Sequence, residues 1–125
     1  DFSGTYYRKY DLKYLGEKIE NDETFFILES FPNYKNSGYS KRISLTDSLD
    51  RTRKVDFYDR KGELLKILYL EDYELYKDKI WMANTMRVEN VQNKNMTIFK
   101  WLNRELDTGI DKKDFEKSSL MRLAD

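Results

Sequence analysis

Three carboxylate pairs lie close enough in sequence to suggest acid–base chemistry: Asp47 with Asp50, Asp56 with Asp59, and Glu71 with Asp72. Such catalysis needs two groups whose proton affinities are pushed apart in a cleft. All three pairs fall at turn signals or among other charges, where carboxylates ordinarily face water. Neither histidine nor cysteine occurs in the 125 residues. That excludes a Ser-His-Asp arrangement, a thiol nucleophile, and metal ligation by imidazole or thiolate. The run DRKGE at 59–63 lacks the spacing of a calcium loop. No catalytic residue, metal or cofactor is expected, and the protein reads as a non-enzyme.

Without reactive groups, the residues left to carry function are apolar and aromatic. Tyrosine is the unusual excess, at 10 residues beside 7 Phe and 2 Trp. Tyrosine suits surfaces that are apolar along the ring and wet at its tip. Basic and acidic residues balance at 23 each, which argues against nucleic acid as a partner. The mildly basic segment 41–61 is expected to be a solvated face. No stretch reaches the roughly 18 apolar residues of a membrane-spanning helix. The opening DFSGTYYRKYD shows no signal-peptide pattern,. The length is that of one domain, 1–125,.

The elements that must position these residues read as strand, turn, strand, repeated. Strands are expected over 5–15, with a bend at Gly16, then 17–20, 24–31, 40–46, 53–58, 63–76, 80–91 and 96–106. Asn21-Asp22 is a tight-turn pair that tolerates positive φ. Gly62 closes the loop Asp59–Gly62 in the same way. Residues 33–39, NYKNSGY, form a polar loop, the segment best suited to mobility. Asp111 could cap a short helix over 112–120, with residues 121–125 fraying. About eight strands joined by turns too short for parallel crossovers make an antiparallel meander. The fold class is therefore all-β: a curved antiparallel sheet or half-open barrel with a short C-terminal helix.

Two strands break the alternation expected of a half-buried sheet. The strand beginning at Leu64 and the strand beginning at Met96 are apolar on both faces. Either both lie mid-sheet, between a core and a covering layer, or one face lines a cavity for an apolar ligand. Met82, Met86, Met96, Trp81 and Trp101 suit core packing or ligand contact equally in kind.

LKYLGEKI at 12–19, FFILES at 25–30 and KVDFYDRKGELLK at 54–66 carry a resemblance. So do Asp72, Tyr73, Lys79, Trp81 and Met86, and the ending Asp107-Thr108-Gly109-Ile110 with Phe115. Together they resemble the C-terminal half of the outer-membrane lipoprotein-sorting family, the LolA-like group. The likeness runs from about Tyr6 to Arg122. The chain departs from it at Asn21-Asp22, where glycine is usual, and at Asp50–Arg53, which is usually more apolar.

The resemblance implies a half-open barrel that holds acyl chains, and a domain that begins earlier than Asp1. It implies a carrier or binder of lipid or lipoprotein in the periplasm of a bacterial envelope, served by an inner-membrane transporter. Strand parity selects Phe57, Leu68, Leu70, Met86, Val88 and Phe99 as the lipid-binding face. The alternative is a structural interaction module that pairs through exposed sheet edges, including homo-oligomers.

Overall fold

A computed structural model describes residues 10–101 and the backbone of residues 120–123. Eight strands make one antiparallel sheet: β1 (Tyr10–Glu20), β2 (Glu23–Pro32), β3 (Lys41–Asp47), β4 (Thr52–Tyr58), β5 (Leu64–Tyr76), β6 (Ile80–Asn90), β7 (Asn95–Trp101) and β8 (Leu120–Leu123). Their order in the sheet is their order in the chain. Each strand follows its neighbour through a short connection, as β-branched and aromatic runs punctuated by turn residues require. The sheet is curved and unclosed.

The turn chemistry follows from local stereochemistry. Asn21 and Asp22 have φ of 52° and 62°, the double left-handed geometry of a two-residue hairpin. Lys77 and Asp78 adopt the same geometry, at 55° and 54°. At Gly62 φ is 87°. Its amide donates to the Asp59 carbonyl at 2.9 Å, while the Asp59 carboxylate accepts the Lys61 and Glu63 amides at 2.9 Å each. A Cβ added at Gly62 meets nothing within 4 Å, so only backbone strain opposes a side chain. Gly62→Ala is expected to lower stability by about 1 kcal/mol, read as a shift in urea midpoint at unchanged slope.

Two expectations are corrected. Gly16 does not divide two strands: β1 runs through it, and a bulge lies between Tyr14, opposite Leu28, and Gly16, opposite Ile27. Glycine at φ 110° absorbs the extra residue while pairing continues on both sides,. The polar loop 33–39 is anchored at its C-terminal end. Ser37 is buried, its carbonyl accepts from Arg60 Nη1 at 2.8 Å, and Tyr39 packs on Phe57 at 4.9 Å between ring centres. Finally, Leu120–Leu123 does not fray; it pairs with β7. The helix expected over 112–120 lies outside the described residues, except for Leu120 at the start of β8.

Directly opposed residues of an antiparallel pair point to the same face, so the register defines two surfaces. One is the aliphatic face, with Leu28, Val55, Leu68, Leu70 and Val88. The other is the charged face. Here Lys41 pairs with Glu29 at 3.2 Å and Arg87 with Glu71 at 3.0 Å, over Ile43, Ile67 and Tyr69. Both faces of β5 are thus apolar, with Ile67 and Tyr69 backing Leu68 and Leu70. Among the described residues, Phe25 is the one buried apolar side chain. A sheet normally buries its apolar face against a second layer; here that layer is absent among the described residues.

Candidate functional site

The six parity-selected residues come together on the aliphatic face. Leu68 lies opposite Val55 and Val88, Leu70 opposite Met86, Met86 opposite Phe99, and Phe57 opposite Lys66, one step from Leu68. All six are half-buried. They form a strip across β4 to β7 that is apolar and in reach of a guest.

The hollows lie to one side of that strip. A groove of about 460 Å³ is lined by Leu12, Leu28, Val55 and Leu70, with Ser30, Arg42, Ser44, Thr46, Asp50 and Thr52. A second hollow, of about 340 Å³, adjoins it through Leu28, Thr46 and Asp50 and extends to Tyr14 and Phe26. Of the six selected residues only Leu70 lines the larger groove. Leu12, Leu28 and Val55 escaped selection although their parity matches. Pairing shows that they continue the same face.

The carboxylate pairs do not form an acid–base site. Asp47 is 2% exposed, against the expectation of a surface residue. Its Oδ1 accepts the Leu49 and Arg51 amides at 3.0 Å each, and its Oδ2 accepts Arg51 Nε at 2.8 Å and Arg53 Nη1 at 3.2 Å. Arg53 also donates to Glu23 at 2.7 Å. Burial disfavours the Asp47 anion, but bonds from the Arg51 amide and side chain, from Arg53 and from the Leu49 amide outweigh it. Its carboxyl is therefore held below the usual range.

Arg51 lies over the rings of Tyr73 and Trp81, at 5.2 and 4.6 Å. The Tyr73 hydroxyl donates to the Thr52 carbonyl at 2.6 Å. This assembly pins the β3–β4 turn to the β5–β6 hairpin. Asp59 binds Gln92 at 2.9 Å, Glu71 binds Arg87, and Asp72 accepts from Thr85. Asp47 and Asp50 both line the second hollow, but the Asp47 carboxylate is taken up by two guanidinium groups and two amides. The basic segment 41–61 is largely consumed by these ion pairs rather than forming a patch. No cluster of three or more potential metal-ligating side chains occurs among the described residues. No helix among them is long and apolar enough to cross a membrane.

An unclosed antiparallel meander with an apolar face and adjoining hollows defines a LolA-like fold. Residues 1–122 match a family described as uncharacterised proteins, and the chain belongs to it. Three solved structures are similar. One, from Vibrio parahaemolyticus, is described as a candidate outer membrane lipoprotein-sorting protein domain; it is 40% identical with a TM-score of 0.78. A DUF1329 family protein from Desulfovibrio piger is 30% identical with a TM-score of 0.76. A LolA superfamily protein from Nitrosomonas europaea is 21% identical with a TM-score of 0.70, a likeness of fold. Each similarity covers 88% of this chain but only 47%, 46% and 52% of the respective structure. The chain thus spans about half the length of these relatives. No curated protein matches.

Proposed function

We propose that this chain is part of a non-enzymatic carrier of lipid or lipoprotein in the bacterial envelope, and that the aliphatic face holds acyl chains. One observation carries this: a strip of half-buried apolar residues, beside two joined hollows, lacks a covering layer among the described residues. Each methylene removed from water contributes roughly 0.8 kcal/mol. A trough of this kind therefore binds an acyl chain with no reactive group. Likeness to proteins described as lipoprotein-sorting or LolA-like supports the same assignment. A periplasmic location and delivery through an inner-membrane transporter accompany the proposal. Release requires a partner or conformation with a different affinity for the lipid.

Native mass spectrometry of protein purified from an envelope fraction tests it. Additional mass matching an acyl lipid is expected on the folded chain. Protein free of lipid, and refusing added lipid, would refute the proposal. A second reading has its own support. Strand β1 is an edge in the described sheet and exposes Leu12, Tyr14, Leu15 and Ile19. Edges of this kind pair with other chains, and integral multiples of the protein mass without lipid would favour an interaction module.

A further inference from the structure

The aliphatic face has a polarity along its strands. One row perpendicular to them runs Ser30, Arg42, Phe57, Lys66, Asn90 and Asn95, each residue directly opposite the next. The adjacent row runs Leu28, Ser44, Val55, Leu68, Val88 and Thr97. Beyond it lie Leu70, Met86 and Phe99. Among residues with described side chains, the cations of this face stand in the first row, Arg42 and Lys66.

Carboxylates of the face lie toward the opposite end of the strands. Glu17 is opposite Phe26, Glu74 is opposite Met82, and Asp50 lines the groove at the β3–β4 turn. The row of cations is also the aromatic end. Lys66 lies over Tyr39 and Phe57 at 5.2 and 4.9 Å, and Arg42 lies over Tyr10 at 4.2 Å.

We infer that this row is the headgroup end of the lipid-binding face, and that it takes the phosphate of an anionic phospholipid, with the chain running over Val55, Leu68 and Leu70. The inference rests on the function proposed above and adds the headgroup class and the direction of the bound lipid. Charge complementarity carries it. The field of two cations beside an apolar surface favours an anion at one end and disfavours it at the other. The inference uses the charges of Arg42 and Lys66 and not a vacant hydrogen-bonding position on either. Their backbones are two strand spacings apart, about 10 Å. Phe57 lies between them, so a phosphoglycerol head can reach both better than a lone carboxylate can. Ser30 and Ser44 line the same groove as Arg42, with the Ser44 hydroxyl donating to the Leu28 carbonyl.

The test compares lysophosphatidylglycerol, lysophosphatidylcholine and a free fatty acid of equal chain length, titrated below micelle formation into the full chain. Lysophosphatidylglycerol is expected to bind about tenfold tighter than the zwitterionic lipid at low salt, with the gap closing as salt rises. Arg42→Gln and Lys66→Gln should each weaken lysophosphatidylglycerol more than lysophosphatidylcholine, whose choline offsets its phosphate charge, and so remove a large part of that preference. Arg42→Lys and Lys66→Arg, which keep the charge, should retain it. An unchanged far-ultraviolet spectrum and urea midpoint show that each variant is folded.

Equal affinity for the two lysolipids, insensitive to both Gln variants, overturns the headgroup inference and leaves the apolar-face proposal standing. Fatty acid binding as tight as lysophosphatidylglycerol overturns the assignment to phosphate. Failure of every amphiphile to bind overturns both proposals.

Discussion

Leu68→Asp is expected to strip the protein of bound lipid while the sheet remains paired. Leu68 sits mid-face, opposite Val55 on β4 and Val88 on β6. A guest lying on the face has to desolvate whatever stands there. An ionised carboxylate resists that desolvation by several kcal/mol, so affinity should fall at least about a hundredfold. Leu68 is only half-buried, and in the free protein the new carboxylate can stay hydrated. The far-ultraviolet spectrum should therefore persist.

The informative control is Ile67→Asp, one residue away and also half-buried, but pointing to the charged face. It should retain lipid. If Leu68→Asp keeps its lipid and Ile67→Asp loses it, the ligand lies on the charged face. Such a result would also disqualify Phe57, Leu70, Met86, Val88 and Phe99, since all six were selected by one parity.

The largest loss of stability is expected at Asp47. In Asp47→Asn, one oxygen can still accept the Leu49 and Arg51 amides. The new amide nitrogen then takes the place of Oδ2, facing Arg51 Nε and Arg53 Nη1, so that donors meet donors. Two guanidinium groups lose their shared anion in a site where Asp47 is almost wholly excluded from water. Removing one partner of a buried ion pair typically costs about 3 kcal/mol or more. The partial exposure of Arg53 reduces this, so about 2–3 kcal/mol is expected by urea denaturation near neutral pH.

The same site sets a pH dependence. The folded Asp47 carboxyl titrates below its ordinary value of 3.8. Its stabilising contribution is therefore complete well above that value and is lost as pH falls from there through the folded pKa. Wild-type stability should drop as the medium is acidified through this window, with a shallower drop in Asp47→Asn. Asp59 and Glu20 act in the same direction: Asp59 is lowered chiefly by its bond from Gln92, Glu20 chiefly by Lys18. A pH profile equally steep in wild type and Asp47→Asn would assign the acid lability to other carboxylates.

Much of the fold was legible in the sequence because its causes are local. A strand alternates with period two whatever it later packs against. The parity of β5 and β7 therefore brought Leu68, Leu70 and Phe99 to one face and Ile67 and Ile98 to the other. Positive φ is tolerated by few residue types, so Asn21-Asp22 and Gly62 marked hairpins before any pairing was known. Gly16 shows the limit of such signals. The same glycine suits a break or a bulge, and only the continued pairing of Lys18 with Phe25 decides between them.

The sequence by itself determined that the chain is an antiparallel meander, that reactive histidine and cysteine chemistry is excluded, and which side chains within one strand share a face. Tertiary structure alone decided where the hollows lie and how the charges are spent. Arg53 and Glu23 are 30 residues apart, yet both help hold Asp47 or its partner. They meet because β2, β3 and β4 lie side by side. Likewise, Leu12 and Leu70 line one groove although they stand on β1 and β5. Periodicity is a property of each strand taken singly, whereas curvature and the convergence of turns depend on the summed twist of many paired strands.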